Sequence, residues 1–199
     1  MKAIAYTLAI FILYSAGPEE QTILSKAEED KRIQVRRIYT AELGIKEKTG
    51  KNDGPRVEEY LRHASLERGD PWCAAFVCWV FDKAGVDNPR TGWSPDLFPK
   101  ERLVWERKKA AVAAGRKAVK NLPKNGDVFG IWFPEKGRIA HAGFVDKWSD
   151  TWLITVEGNT NEAASREGDG VYRKRRLVRT VYQVSQFVDE KMTNQKISK

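Results

Sequence analysis

The 199-residue chain carries two cysteines and two histidines, and Cys73 follows Asp70-Pro71-Trp72 directly, in the stretch RGDPWCAAFVCWVF. A thiol in that position can fill a core, join a disulfide, ligate a metal or act as a nucleophile. Residues five apart on a helix are separated by about 8–9 Å, too far for Cys73 to bridge Cys78. Cys73, Cys78, His63 and His141 also lack the close Cys or His pairs of a structural zinc site, so no metal and no cofactor is expected. The two thiols differ by position. Cys78 sits mid-helix between Val77 and Trp79, where a thiol behaves as a small hydrophobe. Cys73 sits in the first turn, where unpaired N–H groups and the helix dipole favour a thiolate, although apolar burial works the other way. Position leaves Cys73 open between packing and chemistry, and a base with an orienting group elsewhere would decide it.

His63 lies beside Leu61 and Ala64 with no acidic or amide companion in a recognisable motif, and reads as a surface or packing histidine. His141 lies in the strand-like run RIAHAGFV (138–145), flanked by small residues that leave the imidazole open to a neighbour. After Ser149 and Asp150 the chain turns back into TWLITVEGN (151–159). A two-residue loop would set Glu157 on the face opposite His141, whereas a three-residue loop pairs His141 with Glu157 or Asn159. The apolar pattern favours the odd loop, with Ala140, Ala142, Phe144, Trp152, Ile154 and Val156 on one face. His141, Gly143, Thr155, Glu157 and Asn159 then share the other, unless a bulge intervenes. Cys73, His141 and Glu157 so placed would suit acyl transfer from an amide: thiol attack, proton relay, orientation of the imidazole. The Cys73 N–H is the natural oxyanion donor.

The elements that must hold these groups follow from periodicity. Glu19 to Leu43 is polar and helix-prone, with Val35, Ile38, Tyr39 and Leu43 on one face and a first half expected to be a loosely packed stalk. A second helix starts at Pro55, with Val57, Tyr60, Leu61 and Ala64 at helical spacing. Cys73 to Ala84 is apolar all round, so this helix should be central, ending at Gly85. Glu101 to Asn121 reads as a basic helical or irregular insert. From Gly126 the period becomes that of strands, and helices followed by a meander of about five strands is α+β.

Length permits one ordinary domain. A formal net charge of +8 favours an anionic surface as partner, but the basic run Arg173-Lys174-Arg175-Arg176 sits among Val171, Tyr172, Leu177 and Val178 like the wet end of a strand pair, and nucleic acid is not expected as a partner. Residues 1–17 join one lysine, an apolar run from Ala3 to Tyr14 and small residues, which fits a signal-peptide core or an uncleaved anchor. Any membrane contact is expected only there. Residues 18–31 are read as the stalk, 32–189 as the domain and 190–199 as a frayed tail.

Taken in order, NDGPRVEEYL, PWCAAFV, GDVFGIWF, RIAHAGFV and VEGNTN resemble the CHAP domain, the cysteine, histidine-dependent amidohydrolase/peptidase group of the papain-like, NlpC-type superfamily. The resemblance covers roughly Arg32 to Asp189. It implies a papain-like fold and cleavage of peptidoglycan amides, either between muramic acid and L-alanine or within the peptide. Export is expected from residues 1–17, and a monomer is expected. The resemblance implies Cys73 as nucleophile, His141 as base, Glu157 as third member, Asn159 in support and Trp72 lining the groove. Asn52 to Gly54 and Gly126-Asp127 match positions that shape turns. The chain departs from the pattern at Glu101 to Asn121. Two rival readings keep the fold: an amidase or acyltransferase on another amide, or a cell-surface binding protein without turnover.

Overall fold

A computed structural model describes residues 18–108, 122–161 and 168–189, with side chains from residue 26 onward. The leader read at 1–17, the larger part of the insert and the tail at 190–199 lie outside the described residues. Helix α1 spans Pro18–Ala41, α2 Pro55–His63 and α3 Cys73–Lys83. Six strands follow: β1 Leu103–Glu106, β2 Val128–Phe133, β3 Arg138–Trp148, β4 Trp152–Thr160, β5 Gly170–Leu177 and β6 Gln183–Ser185. They form one antiparallel sheet in the order β1-β6-β2-β3-β4-β5. The fold is α+β, as periodicity indicates, with one strand more than the reading of about five.

The extra strand is β1, inside the stretch read as a helical or irregular insert. Four residues, LVWE, are too short for alternation to outvote the basic residues that follow them. β1 pairs with β6 at the sheet edge and buries Trp105 with Phe129, Val145, Leu153, Val181 and Val184. α1 likewise passes without a break through the boundary read between residues 31 and 32. Glu28 and Arg32 are buried because the Arg32 guanidinium reaches Glu28 Oε1 at 2.7 Å, Asp127 Oδ1 at 2.8 Å, and the carbonyls of Asn125 and Val188. That cluster ties α1 to the loop before β2 and to the end of the domain. No helix among the described residues is long and apolar enough to cross a membrane.

The helix readings follow their physical causes closely. Val57, Tyr60, Leu61 and Ala64 form the buried face of α2, whose first residue is Pro55. α3 is buried from Cys73 to Phe81, and Gly85 follows it with a positive φ of 66°. α3 packs against β3 and β4. Phe76 and Phe81 meet Phe144 edge-on, and Tyr39 stacks on the same ring at 4.9 Å. Aromatic pairs of this kind each add about 0.5–1.5 kcal/mol beyond their buried area.

Register between β3 and β4 departs from expectation in an instructive way. At the turn Trp148 pairs with Leu153 and Lys147 with Ile154, the register of an even loop closed by Ser149 and Trp152, which would send Glu157 to the wrong face. A bulge at Asp146 then shifts the pairing to Val145 with Thr155 and Phe144 with Val156. That single inserted residue restores His141 and Glu157 to one face. Asp146 is retained there by the Tyr39 hydroxyl at 3.0 Å and by Arg36 Nε at 2.8 Å. A second irregularity lies between β2 and β3, where Ile131 pairs with His141 but Trp132 with Ile139. Ala140 is the extra residue. It bends the strand immediately before the histidine and takes Ala140 out of the face grouping expected from alternation.

Candidate active site

Helix α3 starts at Cys73 without a side-chain cap, so its first N–H groups are not satisfied by a neighbouring hydroxyl or carboxylate. The Cys73 sulfur lies 3.5 Å from the hydroxyl of Ser94, a buried residue that opens the short 3-10 turn Ser94–Leu97. On the strand side, His141 Nε2 lies 2.7 Å from Glu157 Oε2. This engages one ring nitrogen with the carboxylate and leaves Nδ1 as the nitrogen available to the Cys73 thiol, whose charge the imidazole supports. The structure therefore gathers Cys73, His141 and Glu157 at one place across α3, β3 and β4.

Glu157 has no exposed surface, and a buried carboxylate needs compensation. Arg176 on β5 supplies it with two bonds of 2.5 Å, Nε to Oε1 and the terminal nitrogen to Oε2. The Thr155 hydroxyl donates to Oε1 as well. Gly143 makes room, since a Cβ there would lie 3.0 Å from Glu157 Cγ and 2.9 Å from the Phe129 ring. A side chain at Gly143 would push the carboxylate away from the imidazole.

Burial opposes charge on all three groups, and the contacts override it. The Cys73 thiol is raised by burial, yet the hydrogen bond and charge of His141, then Ser94 and the Ala142 backbone, bring it down to about 7. Burial lowers His141, but its bonds to Cys73 and Glu157 and their charges raise it to about 9. For Glu157, burial is outweighed by Arg176 and His141, which hold the carboxyl well below the usual range. Together these favour a thiolate–imidazolium pair beside a fixed carboxylate between about pH 7 and 9. Cys78 differs: desolvation pushes it up to about 11 despite the Thr91 N–H at 3.4 Å. Both cysteines are free. Iodoacetamide at pH 7 is accordingly expected to alkylate Cys73 at least about a hundredfold faster than Cys78, read by peptide mass spectrometry. Equal slow labelling would contradict the activated thiol.

Two expected site residues lie elsewhere in their surroundings. Trp72, expected to line the groove, is fully buried. Its indole stacks on Tyr60 at 5.5 Å and donates to Glu47 Oε1 at 2.9 Å, under the backbone of Gly158. A Cβ at Gly158 would lie 2.6 Å from that indole, so the tryptophan sets the height of β4 over α3 from inside the core. Asn159 has a φ of 53° within the irregularity between Glu157 and Thr160, where β4 loses register with β5. Positive φ is tolerated by asparagine. The described hydrogen bonds around Glu157 do not include Asn159.

Ser94 and Arg176 escaped sequence reading. Arg176 belongs to the run taken as the wet end of a strand pair. That run does alternate, with Arg175 stacked over the half-exposed Trp152 at 4.0 Å while Arg176 turns inward to Glu157. A strand-borne glutamate among apolar neighbours requires a cation, and period two offers Arg176 on the adjacent strand. Ser94 gave no such signal, because the loop TGWSPDLF carries no period. Among the described residues no group of three His, Cys, Asp or Glu side chains is placed to hold a metal.

A thiol at the start of a buried helix, facing an imidazole and a carboxylate on neighbouring antiparallel strands, is the arrangement of the papain-like α+β class. Residues 66–159, a little under half of the chain, match the family model of the CHAP domain, the family that the sequence motifs resemble. The match spans Cys73, His141, Glu157 and Ser94, while α1, α2 and Arg176 lie beyond it. CHAP domains in general are cysteine- and histidine-dependent amidohydrolases that act on the cell wall. Neither curated proteins nor solved structures yield a significant match to the chain.

Proposed function

We propose that the protein is a peptidoglycan hydrolase that cleaves a peptide or muramoyl amide through a thioester on Cys73. The observation that carries the reading is the bond of His141 to a Glu157 that Arg176 holds ionised, set beside a Cys73 thiol that the imidazole brings down to about 7. The Cys73 thiolate adds to the amide carbonyl, and the oxyanion develops near the uncapped N-terminus of α3, where the Cys73 N–H is the donor at hand. Imidazolium His141 protonates the departing amine as the C–N bond breaks, leaving an acyl thioester. Neutral His141 then takes a proton from water, whose oxygen attacks the thioester and returns the thiol. Glu157 stays ionised throughout, fixing the ring so that its free nitrogen faces sulfur.

Peptidoglycan is favoured as substrate by the CHAP match, by the signal-like residues 1–17 and by a net charge of +8 suited to an anionic wall. The signal-like residues also suit an exported protein. Incubation of leaderless protein with purified peptidoglycan, beside a Cys73→Ser control, tests the reading through products identified by mass spectrometry. Released stem peptides would mark an amidase, and split stems or cross-bridges an endopeptidase. Absence of products, or equal products from the control, would refute it.

A further inference from the structure

Trp93 and Arg138 form an ordered pair at the edge of the proposed active site. Trp93 is 50 % exposed, and it immediately precedes Ser94, whose hydroxyl touches the Cys73 sulfur. The Arg138 guanidinium lies 3.9 Å from the centre of the Trp93 indole. It is anchored by one bond of 3.0 Å to the carbonyl of Ile139, and none of the ion pairs among the described residues involves it. Arg138 also begins β3, three residues before His141, so strand rise sets the two backbone positions roughly 10 Å apart. The 3-10 turn that carries Ser94 packs against β3, which joins Trp93 and Arg138 to the nucleophile and the base through short stretches of chain.

We propose that Trp93 and Arg138 form a substrate subsite that recognises a carboxylate two to three residues from the scissile amide, a proposal that rests on the amide-cleaving reading of Cys73. Four features lead there. An arginine stacked on an indole keeps its planar fork in place, so little freedom is lost when an anion binds. With one nitrogen committed to Ile139, the outer N–H groups can grip a carboxylate on two bonds. The exposed indole offers the adjoining apolar surface that a peptide backbone or aliphatic stem would cover. Finally, an extended peptide advances about 3.3–3.6 Å per residue, so roughly 10 Å corresponds to two or three residues from the bond being cut. The substrate class is therefore a peptide amide with an acidic residue close to the cleaved bond.

A pair of thiol-directed probes tests this without requiring turnover. N-chloroacetyl-alanyl-glutamate and its diamide both alkylate Cys73 as the thiolate displaces chloride, and they differ in carrying carboxylates or carboxamides at the required distance. In the wild-type protein the diacid is expected to react about tenfold faster than the diamide, with saturation, as a charge-assisted hydrogen-bonded pair allows. Arg138→Gln and Trp93→Leu should reduce that ratio to near unity while leaving the iodoacetamide rate at Cys73 unchanged, which shows the thiolate and the fold intact. Arg138→Lys should retain part of the preference. A wild type that does not discriminate, or a preference that survives Arg138→Gln, would overturn the subsite. A preference that depends on Arg138 in a protein that fails to digest peptidoglycan would preserve the subsite and reject the wall as substrate. Digestion unaffected by the loss of any preference would do the reverse.

Discussion

Glu157→Gln is expected to lower kcat/KM on an amide substrate by about a thousand- to ten-thousand-fold, with the fold retained. The amide can still meet the His141 ring, but it carries no charge to stabilise an imidazolium and can present the wrong hydrogen-bonding atom. The pH profile distinguishes this from simple misfolding. In the wild type the pair proposed to act is thiolate and imidazolium. Activity is expected to fall as pH drops through about 7, where Cys73 takes a proton, and again as pH rises through about 9, where His141 loses one. Loss of the carboxylate lowers His141, so the alkaline limb moves to lower pH. A less charged imidazole supports the thiolate less well, so the acid limb moves to higher pH. The bell narrows from both sides. A profile of unchanged width with reduced height would show that Glu157 does not govern the imidazole. Arg176, about one-fifth exposed at its side chain, can turn to solvent once its partner is neutral, which limits the cost to stability.

The second large effect concerns stability. Arg32→Met is expected to destabilise the fold by about 3–5 kcal/mol, measured by urea denaturation, because it removes the cation from a buried cluster and leaves its anions unpaired. Arg32 bonds Glu28, Asp127, Asn125 and Val188, and its side chain is 4 % exposed. Burial already pushes the Asp127 carboxyl up in spite of Arg32 and Lys124, so the lost charge has no ready substitute there. Lys124 partly covers Glu28 at 3.0 Å, which sets the lower end of the range. A change below about 1 kcal/mol would mean that α1 is held by its other contacts, Val35, Tyr39 and the Arg36–Asp146 pair among them. Asp127 thus does more than shape the turn that sequence reading assigns to it.

What was legible in the sequence divides along physical lines. Local signals were sufficient for α2 and α3: proline at a helix start, an apolar face at helical spacing, an all-round apolar helix and a closing glycine. Position within α3 also separated the two cysteines, and the structure brings Cys73 against His141 while Cys78 packs beside Thr91. Alternation put His141 and Glu157 on one face, though by an incorrect route. An odd loop was expected, whereas an even turn and the Asp146 bulge together give the same result. A bulge leaves little trace in apolar alternation, because the extra residue is polar and its partners Tyr39 and Arg36 are more than a hundred positions away. Trp72 was misplaced for a related reason. Adjacency to a nucleophile in sequence says nothing about which way a residue at the N-cap points, and Gly158 on a distant strand leaves a slot for the indole inside the core. Ser94 and Arg176 depend on contacts between remote segments, which no local period encodes. β1 was lost because four residues cannot outweigh a charged neighbourhood.

Amide cleavage through a thioester on Cys73 should leave a trappable acyl-enzyme, and rapid acid quenching during turnover of purified peptidoglycan fragments is the measurement that would catch it. Intact-protein mass spectrometry should then show a population heavier by the acyl fragment of the substrate. Digestion of that species should map the added mass to the peptide containing Cys73, with none on Cys78 as the label is followed along RGDPWCAAFVCWVF. Products formed without any adduct at Cys73, or formed at the same rate by Cys73→Ala, would contradict the account.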